Sequence, residues 1–279
     1  MCTHVLLAGG FPLERFSCMV IRALPLLVAL SAPIFPQGGT HPLERALALF
    51  NAGKYQDSFD LASAYLLQNP LSEPAHKIVG MNQYMLGKPE EALQEVKRAT
   101  ELAPNDADAF YYLGRLHFST DKVAAALSDF QRALELDPSS VRTENQLGQT
   151  YEALGRWPDA ERAYLKAIEI ERSQAKKSEW PYFNLGVLYH NTMRAEEAVA
   201  YLQEALRRNP SWAQGKVKLA AALASCKKIE QAMALLEGAV ETEPLNAEAH
   251  YRLALLLTKT GKAQEAKQHF EAFEQLSKR

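Results

Sequence analysis

Cysteine is scarce. The 279 residues hold three, Cys2, Cys18 and Cys226. There is no C-x-x-C pair and no cysteine–histidine cluster, so neither a disulfide framework nor a structural zinc site is available. An excess of one charge is also missing. The sequence has 31 Lys and Arg against 33 Asp and Glu, a formal net charge of -2. That balance offers no basic footprint for nucleic acid and no polybasic patch for an anionic membrane. Signatures of nucleotide and hydrolase chemistry are absent: no G-x-x-x-x-G-K-[ST], no G-x-G-x-x-G and no G-x-S-x-G. The seven histidines, His4, His41, His76, His117, His190, His250 and His269, include no H-E-x-x-H, which excludes the helical zinc-hydrolase site. His117 and His190 read as ordinary surface or groove residues. No cofactor, metal or small-molecule substrate is expected, and the protein reads as noncatalytic.

Long apolar runs are equally rare. The one near the start covers Ala23–Ala32, shorter than the roughly 20 residues of a membrane-spanning helix, and it contains Pro25. It follows Arg22 and precedes Pro33, Pro36, Gly38 and Gly39. A basic start, a short apolar stretch and small residues at Ala29, Ser31 and Ala32 make the pattern of a secretory signal. Residues 1–38 are therefore expected to be a leader directing export to a periplasmic or secreted location, with contact to a membrane only if it stays uncleaved. Residues 1–18 fit that pattern poorly, and Met19 is an alternative start. A disordered leader on a cytoplasmic protein is the other reading.

Beyond residue 38 the prolines keep time. Pro70, Pro104 and Pro138 are 34 apart, and so are Pro210 and Pro244. A 34-residue frame divides the sequence into 39–72, 73–106, 107–140, 141–174, 179–212, 213–246 and 247–279, with 175–178 inserted. The insertion is about one helical turn long and is expected to lengthen the helix before it. Three columns of the frame hold small residues. The eighth reads Ala46, Gly80, Gly114, Gly148, Gly186, Ala220, Ala254. The twentieth reads Ser58, Ala92, Ala126, Ala160, Ala198, Ala232, Ala266. The twenty-seventh reads Tyr65, Ala99, Ala133, Ala167, Ala205, Ala239, Phe273. Nineteen of these 21 residues are Ala, Gly or Ser, which marks a repeated close crossing of two helices. Leu113, Leu147, Leu185, Phe130, Tyr164 and Leu202 are among the larger residues expected beside it. Gly53, Gly87, Gly155 and Gly261 are expected in turns that need a positive φ.

In period and in these columns, residues 39–279 resemble the tetratricopeptide repeat family. The resemblance implies an all-α, right-handed superhelical solenoid of seven helix–turn–helix units. It also implies a concave face, lined by the first helix of each repeat, that binds a protein or peptide partner. The inward positions are the second, fifth, ninth and twelfth. They give a groove of Lys77, Met81, Tyr84, Tyr111, Arg115, Phe118, Arg142, Asn145, Phe183 and Tyr251, centred on Tyr84, Tyr111, Arg115, Phe118 and Phe183. The same aromatics also fit packing against the next repeat. The carboxylate clamp of chaperone-binding members is incomplete. Lys77 is present, but Met81 and Tyr112 stand where asparagines belong, and Gln146 replaces a cation. A continuous asparagine ladder is missing too, with Asn184 alone in its column. Acidic pairs such as Glu90/Glu91 and Glu196/Glu197 suit helix N-termini. The pairs Lys176/Lys177 and Lys227/Lys228 are too short to imply nucleic acid. The alternative function is a regulatory or assembly subunit of an enzyme or of an envelope or secretion complex.

Overall fold

The computed structural model describes residues 41–175 and 177–278. The leader, its export signal and the alternative start fall outside them. Among the described residues there are fourteen helices and no strand. They run α1 (Pro42–Asn51), α2 (Tyr55–Gln68), α3 (Glu73–Met85), α4 (Pro89–Leu102), α5 (Ala107–Ser119), α6 (Val123–Leu136) and α7 (Val141–Ala153). Then follow α8 (Trp157–Ser173), α9 (Trp180–Asn191), α10 (Ala195–Arg208), α11 (Ala213–Ser225), α12 (Ile229–Thr242), α13 (Ala247–Lys259) and α14 (Ala263–Ser277). No described helix is long and apolar enough to cross a membrane.

Each odd-numbered helix folds back on the next through the same tight turn. A residue with positive φ stands at 53, 87, 121, 155, 193, 227 and 261. The amide that follows it donates to the carbonyl five residues back, as in Lys54 N to Leu49 O at 2.9 Å and Arg194 N to Tyr189 O at 2.8 Å. This is the six-to-one bond of a left-handed helix cap. The donating residue is Lys or Arg in every turn (Lys54, Lys88, Lys122, Arg156, Arg194, Lys228, Lys262). Four of the seven positive-φ positions are Gly; the others are Asp121, Met193 and Lys227.

Proline ends most of the even-numbered helices. Pro70, Pro104, Pro138, Pro210 and Pro244 each lie two residues beyond the last helical one, and the residue before each leaves the helical region. Arg172 occupies the corresponding place in α8. With no proline to stop it, α8 runs 17 residues, where α2, α4, α6, α10 and α12 have 14. The helix is thus longer, as its neighbourhood to the insertion suggests, but the extra turn is built from residues 171–173. Ala175, Lys177 and Ser178 lie outside it and form the return to α9.

The small-residue columns are crossings where no larger group fits. A Cβ on Gly80 would lie 2.6 Å from Val96 Cγ2, and one on Gly114 would lie 2.7 Å from the Phe130 ring. On Gly148 it would lie 2.4 Å from the Tyr164 ring, and on Gly186 2.6 Å from Leu202 Cγ. The first helix of each pair therefore yields space to the large residue of the second. Each helix touches its sequence neighbours, and odd helices also touch the next odd helix, as α5 does α7 and α7 does α9. No even helix touches another even helix among the described residues. The odd helices therefore lie on the tighter, concave side of an all-α solenoid.

Candidate functional site

The concave side holds a cavity of about 720 Å³ where α5, α7 and α9 come together. Its walls include Tyr111 and Arg115 from α5, Arg142, Asn145 and Gln149 from α7, and Trp180 from α9. Residues between helices close one end: Asp137, Ser139, Gln174 and Ser178. Such a volume lies in the range of ligand pockets.

Charge and aromatic faces alternate along the cavity. The Arg142 guanidinium lies 4.4 Å from the Tyr111 ring centroid, and that of Arg115 lies 5.9 Å from it and 5.3 Å from Tyr84. Arg142 also pairs with Asp108, both largely exposed. Asp137 Oδ1 accepts from Ser139 N at 3.0 Å and Ser139 Oγ at 2.7 Å, within its own turn. Arg115 has no carboxylate within ion-pair distance among the described residues. Asn145 is buried, and its Oδ1 accepts from Asn184 Nδ2 at 2.9 Å. The isolated asparagine at 184 is thus half of a bridge between α9 and α7.

The insertion fixes the far wall. Gln174 Nε2 donates to Ser139 O at 2.9 Å. Behind it Glu171, wholly buried, pairs with Arg208 and accepts from Ser178 N at 3.2 Å and Tyr182 OH at 3.4 Å. Arg208 also donates to Ser178 O at 3.1 Å and lies 4.0 Å from the Tyr182 ring centroid. Burial works to raise the Glu171 carboxyl, but the bonds from Arg208 and the Ser178 amide outweigh it and hold the group below its ordinary range. A buried pair with all these partners positions Ser178 and the start of α9 rather than adding much net stability.

Of the ten groove residues read from the sequence, Tyr111, Arg115, Arg142 and Asn145 meet in this cavity. Tyr84 lies one repeat away, joined to it through Arg115. The others do other work. Met81 and Phe183 are buried in the core, Phe183 with its ring centroid 4.4 Å from that of Trp212. Phe118 packs against the apolar cluster of Phe130 and Leu147. Lys77 is held between Glu73, at 3.1 Å, and Asp106. Tyr251 stacks on α14, its ring centroid 5.0 Å from Phe273. The helical frame does not fix the depth of these residues, because a side group at the fifth, ninth or twelfth position reaches either the groove or the next helix. The frame missed Gln146, Ser139, Gln174 and Ser178. The signal for the last two was the insertion itself, which breaks the period beside them.

Among family models, the tetratricopeptide repeat matches residues 80–141, 139–211 and 223–272. No curated protein matches the sequence. Among solved structures it is similar to the anaphase-promoting-complex hetero-tetramer Cut9-Hcn1, with TM-score 0.72 and 17% identity over 84% of this protein. That match spans 46% of the other protein, so this one covers under half its length. It is also similar to pilF of Pseudomonas aeruginosa, with TM-score 0.66, 19% identity and coverage of 73% here and 91% there. A third is YrrB, described as a tetratricopeptide repeat protein with an unusual peptide-binding site. There the TM-score is 0.53, identity 20%, and coverage 65% and 91%.

Proposed function

We propose a function from one premise: this protein belongs to the tetratricopeptide repeat family. Proteins of this fold serve as scaffolds for protein–protein interaction. In our reading this one is a noncatalytic scaffold that holds a segment of a partner protein in its concave face, at the cavity between α5, α7 and α9. The observation that carries the reading is the cavity itself, with an unneutralised arginine, amide side groups and an exposed tryptophan converging on it. Tryptophan, tyrosine and arginine are the residue types enriched at binding hot spots. The peptide-binding site described for YrrB is in keeping with it. In this reading a role in catalysis would come through an enzyme that is bound.

Site-specific photo-crosslinking tests this. A benzoylphenylalanine replaces Gln149, in the cavity, or Lys97, exposed on α4. The expected result is a discrete crosslinked partner from Gln149 and none from Lys97 in the native host. Identical products from both positions would show that the cavity is not where the partner sits.

A further inference from the structure

We propose that the cavity takes a peptide segment bearing one carboxylate, with Arg115 as its anchor. This rests on the reading of the cavity as the partner-binding site and adds the chemistry of what enters it. Three charged residues line the space; Asp137 has its Oδ1 bonded within its own turn by Ser139, and of the two cations Arg142 is paired, with Asp108. Arg115 is not. Its guanidinium has aromatic rings near it on two sides, Tyr84 at 5.3 Å and Tyr111 at 5.9 Å. Rings hold a guanidinium by its face and leave its in-plane N–H donors unspent. A half-buried cation with free donors gains more from an incoming carboxylate than an exposed one does.

The neighbouring amides point the same way. Asn145 has its Oδ1 occupied by Asn184, so what it presents to the cavity is its NH₂ donor. Gln146 and Gln149 stand beside it on α7. Their amides match the backbone of an extended segment, donor to carbonyl and acceptor to N–H. Trp180, 45% exposed, gives that segment an apolar wall. The Gln174–Ser139 and Arg208–Ser178 bonds fix the far wall in advance, which lowers the ordering cost of binding. The anchor is a single arginine beside the insertion. It does not use the clamp positions, which this sequence fills with Met81, Tyr112 and Gln146.

The carboxylate has two sources, an Asp or Glu residue within the segment and the free carboxyl group at a peptide's end, and one experiment separates them. Three pools of fluorescein-labelled random octapeptides are titrated against the full-length protein by anisotropy. The first has a free C-terminus and no Asp or Glu; the second is amidated with one fixed central Glu; the third is amidated without acid. One of the first two is expected to bind at least 10-fold more tightly than the third. Arg115→Gln should erase that preference while circular dichroism shows the same helix content, and Arg115→Lys should restore only part of it. Binding of all three pools alike, lost on Trp180→Ala but indifferent to Arg115→Gln, would overturn the anchor and leave the cavity reading standing. Binding by no pool overturns the inference, and a uronic-acid oligosaccharide that binds instead would assign the cavity to another class of ligand.

Discussion

The two ends of the solenoid are built from the same repeat but not from the same core. From α8 onward one apolar cluster runs without a break, from Ala160 through Leu185, Leu202, Leu223 and Leu236 to Ala266. Ahead of it the core is in three pieces: one around Leu43 and Ile78, one around Val96 and Leu116, one around Tyr111 and Phe130. Polar pairs accompany these pieces. Asn82 and Ser58, both fully buried, bond at 2.8 Å, and the Ser58 hydroxyl donates on to Ala46 O at 2.7 Å. His76 and Glu95, and His117 and Asp129, each approach to 2.6 Å across a helix pair. Stability in such arrays sums over repeats and their joints, so a segmented core makes the N-terminal half the part that opens first. The cavity lies at the border of the two cores, where a groove wall anchored on the firm side meets residues carried by the yielding one.

The largest test removes one large side group from each half. Phe130 and Leu202 are both buried, each against a glycine of the facing helix. Phe130→Ala is expected to cost about 3–5 kcal/mol and Leu202→Ala about 2–5 kcal/mol. The patterns should differ more than the sizes. Phe130→Ala should lower the first of two calorimetric transitions and widen their separation, with hydrogen exchange speeding up in α3–α7 alone. Leu202→Ala should bring the upper transition down towards the lower and leave one broad step. Equal exchange rates in both halves of the unsubstituted protein would dissolve the comparison.

How much of this was legible in advance depends on the residue. The fold class was, because the demand for a small residue at a helix crossing recurs every 34 residues and few residue types satisfy it. Gly148 against Tyr164 is visible as a column before any coordinate is known. The site was legible in part. Arg115 and Arg142 are charged, so their outward direction followed from position alone. Met81 and Phe183 were not decidable, since an apolar residue suits groove and core equally and depth depends on how far the next repeat rotates. The wall at Gln174 and Ser178 depends on Glu171 finding Arg208, 37 residues on, a pairing that no periodic frame encodes.

Acid should narrow the gap between the halves in two steps. Burial raises Asp129, Glu144 and Glu152, all ahead of α8, against weaker opposing pulls from His117, Lys166 and Tyr164 respectively. A carboxyl whose folded pKa is raised binds protons more readily folded than unfolded, so its cost to stability is relieved as pH falls towards the ordinary carboxylate range. From α8 onward the shifts run the other way. Glu171 is held low as described, Glu248 is lowered because Lys218 and Arg252 outweigh its burial, and Glu204 falls to about 2 chiefly through its bond from Arg207. Their contribution is complete above the ordinary range near 4.5 and is lost as pH drops towards about 2. Between pH 7 and 5 the lower calorimetric transition should rise relative to the upper; below pH 4 the upper should fall. A separation that stays constant from pH 7 to 3 would contradict the assignment.

The smallest effect concerns the turns, where the two halves carry the same strain with different residues. The N-terminal half has one non-glycine at the positive-φ position, Asp121 at 59°; the other half has Met193 at 63° and Lys227 at 60°. A left-handed backbone costs an L-residue roughly 1–2 kcal/mol, less for Asp, whose short polar group bonds locally. Glycine removes that cost but adds freedom to the unfolded state, which takes back about 0.4–1 kcal/mol. Met193 is 90% exposed and has little packing to lose. Met193→Gly is therefore expected to stabilise by about 0.5–1 kcal/mol and Asp121→Gly by less, read as denaturation midpoints in urea. The difference would widen the gap between the halves, since the gain falls on the side that is already firmer. If Asp121→Gly gained as much as Met193→Gly, the strain would belong to the backbone alone and the identity of the residue would not matter.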